Sequence, residues 1–212
     1  MRCVGSSPHS AKNALAELER SGLLLAADAR LPSLTTLVAG VPVRGSWWGH
    51  PSGRAIYAAQ VALEESGLAT TAKLVDGKVT WVHRRLWPDL LRVGSADEPW
   101  QRARLSRAAL ALLDEVREHG ELQLAERAGT PAARQRSLAA ARELEARLLV
   151  HASQVHTESG AHARVLTSWP SWAASLHLRP ARAGVARARA GFESILDSWS
   201  GSCGVRARLP WE

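Results

Sequence analysis

The stretch "TTAKLVDGKVTWVHRRLW" constrains this chain more than any other part of it. Asp76 and Gly77 separate two β-rich runs. Asp-Gly between such runs is the mark of a two-residue hairpin turn whose central residues both take positive φ. With these two as the loop, Val75 is expected to face Lys78, and Lys73 to face Thr80. No other stretch specifies strands so directly.

Around the hairpin the pattern is helical. "AKNALAELERSG" carries Leu15 and Leu18 on one stripe, with Ser10 as N-cap and Gly22 as C-cap. A short strand and turn follow, then a short helix near Leu34 to Val38. "GSWWGHPSG" reads as a loop, and Ser52 as the cap of a helix containing Ile56, Ala59, Val61 and Leu63. Pro88 suits the first turn of "PDLLRVG". "SADEPWQRA" reads as a linker. Beyond it, "LSRAALALLDEVREHG", capped by Ser106, is expected to be a helix, "ELQLAERAG" a short one, and "TPAARQRSLAAARELEARLLV" a long one opened by Thr130 and Pro131. A second hairpin, "LLVHASQVHTE" and "AHARVLT" about Ser159-Gly160, then pairs His156 with Ala163. Further helices are expected in "SWPSWAASLHL" and "GFESILDSWSG".

The bulk numbers set the partner class. The chain has 212 residues, room for one large domain or two small ones, and 46% of them are hydrophobic, which argues against wholesale disorder. The formal net charge is +7. Such a surface attracts polyanions, above all nucleic acid. A bland origin stands beside that reading: 24 arginines against 3 lysines is also what GC-rich coding yields. Cys3 and Cys203 form neither a zinc spacing nor a disulfide framework, which fits a reducing cytoplasm. No apolar run approaches the ~20 residues of a membrane span, and the N-terminus lacks the apolar stretch of a signal peptide.

Four stretches are candidates for function. In "HASQVHTESGAH", His156 and Glu158 are a candidate acid/base pair. The expected hairpin puts His162 on the other face, so no metal set converges and no cofactor is implied. "GSWWGHPSGR" offers Trp47, Trp48 and His50 before a helix whose first turn holds Arg54. Both tryptophans can plug the core, or serve as a stacking surface beside a phosphate-binding helix terminus. "GKVTWVHRRLW" gathers Lys78, His83, Arg84 and Arg85 at a hairpin and its exit, as a basic wing or as a charged edge strand. The long helix carries Arg134, Arg136 and Arg142 for groove contact, although Glu143 and Glu145 would oppose DNA if they faced it. "RPARAGVARARAG" adds a basic arm or a solvated helix face.

Helix, short helix, long basic helix and hairpin, from Leu105 to Thr167, is an order that resembles the winged helix-turn-helix superfamily. The residues carrying the likeness are Leu110, Leu113 and Val116, then Leu122 to Ala128, Arg134 to Arg147, and Leu148 to Thr167. Glu17-Leu18-Glu19 matches Glu143-Leu144-Glu145, so the first half is read as a degenerate second copy beginning near its third helix. A fainter resemblance is to bacterial tandem winged-helix DNA glycosylases. Their Gln-x-Gln or Gln-x-Asp motif is absent here, and no catalytic residue is carried over. The expected fold is mainly α with short β-hairpins, in tandem winged helices: residues 1–96, 97–178, and a basic helix and tail at 179–212. The expected function is sequence-tolerant DNA binding, with no membrane partner. The alternatives are a glycosylase-type repair enzyme and a protein-interaction module with no nucleic-acid role.

Overall fold

A computed structural model describes residues 11–124, 130–156 and 162–212. The chain is mixed α/β, mostly helical, with two small three-stranded antiparallel sheets. It forms two compact units. The first comprises residues 1–87 with 189–210 and 212, and the second residues 88–188 with 211. Residues 88–96, grouped with the first half in the sequence reading, pack with the second unit.

The first unit begins with α1 (Ala11–Ser21), β1 (Leu23–Leu25), α2 (Leu34–Ala39) and α3 (Gly53–Glu65). It continues with the hairpin β2 (Ala69–Val75) and β3 (Lys78–His83), and its strand order is β1-β3-β2. Ala14, Leu18, Leu24, Leu34, Ile56, Leu63 and Trp81 fill its core. The Asp-Gly turn forms as expected, with φ of 51° at Asp76 and 65° at Gly77. Val75 pairs with Lys78, but Lys73 pairs with Val79 rather than Thr80, because a bulge shifts the register between Lys73 and Val75. Leu74 and Val75 are both fully buried. Strict alternation would expose one of them, and the bulge turns both inward.

The second unit holds α4 (Trp87–Gly94, from Pro88 on), α5 (Pro99–Arg102), α6 (Arg107–His119), β4 (Glu121–Gln123) and α7 (Pro131–Ala146). The hairpin β5 (His151–His156) and β6 (His162–Thr167) follows, then α8 (Trp169–Ser175), with strand order β4-β6-β5. Three expectations are corrected here. Residues 121–123, read as the start of a helix, are a strand paired with β6; Leu124 follows it, buried, and residues 125–129 of that expected helix lie outside the described residues. The supposed linker contains α5, whose Gln101 is fully buried and donates to the carbonyl oxygens of Gly94, Arg147 and Leu148. His156 pairs with His162, and Val155 with Ala163, one residue away from the expected register.

α9 (Val185–Cys203) closes the list of helices. Beyond residue 188 it is no solvated arm: Phe192, Leu196 and Trp199 are buried. Cys203 is disulfide-bonded, contrary to the sequence reading, so the scarcity of cysteine no longer argues for a reducing compartment. Among the described residues no helix is long and apolar enough to cross a membrane.

The two units repeat one plan in finer detail than the sequence motif suggested. Gly22 ends α1 at φ 82°, and Gly120 ends α6 at φ 78°. Their N–H groups donate to Leu18 (2.7 Å) and Val116 (2.9 Å). Their carbonyls accept from the N–H groups of His83 (2.9 Å), the last residue of β3, and Ser168 (2.8 Å), the first after β6. Five positions after Val82 and Thr167, the partners of Leu23 and Glu121, stand the buried Trp87 and Trp172. The residues leading into β2 and β5 match at Gly67 (φ 64°) and Leu148 (φ 50°). This aligns Leu63-Glu64 with Leu144-Glu145. The Glu-Leu-Glu match had paired α1 with α7, which occupy different places in the plan. The first unit carries every element from α1 to β3, rather than a copy beginning at its third helix.

Candidate nucleic-acid interface

The helix that leads into the hairpin is α3 in the first unit and α7 in the second, and most expected site residues lie on or beside one of them. α7 forms because Thr130 caps it, accepting from the Ala133 N–H at 3.2 Å, and Pro131 opens its first turn. Ala140, Ala141, Leu144 and Glu145 are its buried residues. The opposite side is exposed at Ala132, Gln135, Arg136, Ala139, Arg142 and Ala146, the i, i+3, i+4, i+7 spacing of one helix face. Arg136 and Arg142 flank this face, whereas Arg134, exposed in the first turn, lies on the side of the helix that carries Ala141 and Glu145. Alanines between the arginines leave room for a polyanion to approach the helix closely.

The two glutamates that counted against this helix are engaged elsewhere. A Glu143 carboxylate oxygen accepts from the Ser106 N–H at 2.8 Å, at the start of α6. Glu145 is buried, and its carboxylate lies 2.9 Å from the Arg164 guanidinium on β6. Charge that the sequence places on α7 without direction is therefore sorted by the fold, with cations outward and carboxylates toward neighbouring elements.

The basic hairpin exit of the first unit is different. Lys78 Nζ sits 2.7 Å from Asp28 Oδ2 and 4.0 Å from Asp76, so its charge is already countered. The Asp28 carboxyl is held below its usual pKa: burial opposes this, but the Lys78 contact and the Leu31 and Arg30 N–H groups outweigh it. His83 is buried, its Nδ1 accepting from the Arg85 N–H at 3.3 Å. Burial and then the Arg85 charge push its pKa down. Arg84 lies over the Trp87 ring at 5.7 Å, and Arg85 donates to the Arg20 carbonyl at 3.3 Å. Both arginines are exposed, but they also serve local packing.

At the start of α3, residues expected to form a loop make a 3-10 turn, Trp47–Gly49. Ser52 occupies the N-cap position but makes no side-chain cap. His50 does related work, its Nδ1 accepting from the Ser52 N–H at 3.1 Å. Trp47 is half-buried against the core, whereas Trp48 is 69% exposed. Their rings stack at 4.1 Å, and Tyr57, which the sequence reading passed over, lies 5.9 Å from Trp48. Its position one turn after Arg54 was the available signal. Arg54 is exposed.

The candidate catalytic residues are not assembled into a reacting group by anything described. His50 serves its own turn, His156 is placed only by the backbone register of its strand, and Glu158 lies outside the described residues. The first histidine of that stretch, His151, is buried, stacked 4.8 Å from Trp172 and edge-on to Trp169 at 6.0 Å. Burial pushes its pKa down to about 4. Among the described residues no group of three or more His, Cys, Asp or Glu is gathered as a metal set. Compared with protein-family models, curated proteins and solved structures, the chain shows no significant match to any.

Proposed function

We propose that each unit is a winged helix-turn-helix and that the chain binds duplex DNA with little sequence preference, through the outer face of α7. Helix, strand, helix, helix and hairpin, with the first strand beside the last, is the element order such a domain needs. The second unit supplies every part of it except the stretch at 125–129. In domains of this type the third helix enters the major groove and the hairpin lies along the backbone.

The observation that carries the reading is the sorting of charge on α7. Arg134, Arg136 and Arg142 are exposed while Glu143 and Glu145 are turned to Ser106 and Arg164. Guanidinium groups flanking an alanine-rich face neutralise phosphates on both sides of a groove, and Gln135 between them is suited to a base edge. Most of the affinity then comes from counterion release and is steeply salt-dependent.

The test is fluorescence anisotropy of the full chain on a labelled random-sequence duplex, titrated from low to physiological salt. Wild type is expected to show a steep fall of log K with log salt. The double variant R136A/R142A is expected to flatten that slope by about 2, near one per lost phosphate contact. Equal slopes and affinities for the two proteins would remove α7 from the interface and overturn the reading.

A further inference from the structure

The first unit carries a surface that duplex binding by α7 does not use. We infer that Trp48 and Tyr57, with Arg54 one turn before Tyr57 and Arg44 four residues before Trp48, form a stacking platform for unpaired bases of a single-stranded nucleic acid. The inference rests on the reading of the chain as a nucleic-acid binder but concerns another site and another form of the polymer.

Trp48 is the most exposed large apolar side chain of the described residues, at 69%, and Tyr57 is 46% exposed. Trp48 is not a loose side chain. It rests on Trp47, whose ring is 4.1 Å away at an interplanar angle of 23°, and Trp47 in turn packs against the core. The backbone beneath is tied. His50 donates to the Trp47 carbonyl at 3.0 Å, and Gly53 donates to the His50 carbonyl at 2.8 Å. Gly53 sits close against this turn: a Cβ there would meet the carbonyl oxygens of Trp47 and Trp48 at 3.2 Å, a tight contact. An aromatic face held this way takes a partner ring without first being ordered, so little of the contact energy is spent on immobilising it.

The charge around the rings selects the partner. From Ala29 to Leu63 the sequence contains no acidic residue, while Arg30, Arg44 and Arg54 fall within it. Arg44 and Arg54 are exposed. The acids of α3, Glu64 and Glu65, stand at its far end, about 11 Å of helix rise from Tyr57 and about 15 Å from Arg54. Aromatic rings in a stretch of chain that carries guanidinium groups and no carboxylate fit a ligand made of flat rings joined by phosphates. A duplex hides the faces of its bases inside the stack, so the ligand is a single strand or an unpaired segment.

The experiment uses the full-length chain and oligo-dT of about 15 nucleotides, long enough to cover one such platform. Tryptophan fluorescence is expected to fall on binding. W48A is expected to bind oligo-dT about tenfold more weakly, the size of one lost base–aromatic stack, and to lose most of the quenching. R54A should weaken binding and reduce its salt dependence while keeping the quenching. Duplex affinity of W48A should stay at the wild-type value, and R136A/R142A should keep the oligo-dT signal. Unaltered oligo-dT binding by W48A overturns the inference and leaves the α7 reading intact. So does self-association of the wild type that W48A abolishes, with no oligo-dT binding, which makes the patch a contact between copies of the chain. Oligo-dT binding that depends on Trp48 with no duplex binding supports the platform and overturns the α7 reading.

Discussion

The helices that lead into the two hairpins, α3 and α7, hold the same place in the same plan and face solvent with opposite chemistry. α3 presents Arg54, then Tyr57 and the neighbouring Trp48, and ends in exposed Glu64 and Glu65. α7 presents Arg136 and Arg142 among alanines, with Arg134 exposed in its first turn, and engages its acids with Ser106 and Arg164. The contrast is sharpest at two glutamates that the strand register makes equivalent. Glu64 is exposed, whereas Glu145 is buried beside Arg164. One plan is thus fixed by the glycine clasps and the buried tryptophans, while the outward faces are free to diverge.

The largest expected effect tests that pair of glutamates. Glu145→Ala leaves the Arg164 cation without its carboxylate and should cost about 3 kcal/mol, the lower end for breaking a buried ion pair because Arg164 is partly exposed. Glu64→Ala should stay within about 0.5 kcal/mol, as for other surface substitutions. Urea denaturation of the two variants reads both values, and equal costs would break the comparison. The next effect separates the units by pH. His151 is held neutral, with its pKa lowered from 6.5 to about 4 by burial. The unfolded chain therefore takes up a proton that the folded chain refuses as pH falls below 6.5. Stability is whole above that value and drains toward pH 4, with a loss of about 2 kcal/mol at pH 5. His151→Phe should flatten this part of the stability–pH curve, and an unchanged curve would assign the acid sensitivity elsewhere. His83, shifted in the same direction by burial and by Arg85, adds to the first unit's share with the same sign. The smallest effect concerns the helix starts. Thr130→Ala removes a formed cap and should cost about 1 kcal/mol. Ser52→Ala removes a hydroxyl that caps nothing and should leave the unfolding midpoint unchanged.

What the sequence revealed follows the range of the forces involved. The Asp76-Gly77 turn was legible because positive φ at two adjacent residues is a local demand that few residue pairs meet. Gly22 was legible as a helix end for a similar reason. The bulge before that turn was not, because it answers to burial of Leu74 and Val75 together, a tertiary requirement. Residues 121–123 were read as helix because three residues carry no usable period and Glu and Gln favour helices. Their strand is fixed by pairing with β6, far along the chain. Of the candidate site, the arginines of α7 could be named from the sequence. The inward turn of Glu143 and Glu145 could not, since it depends on Ser106 and Arg164. Tyr57 went unnoticed because its importance lies in a ring packed against it from the preceding turn.

Leu148 has a consequence of its own. It sits in a left-handed conformation that a non-glycine residue seldom adopts. Its carbonyl accepts from both the Gln101 amide and the Trp169 indole, the latter at 2.7 Å. The joint between α7 and β5 is therefore locked in angle rather than hinged. Helix and ribbon turn together as one lever, and under the proposed reading any bend in a bound duplex comes from the duplex.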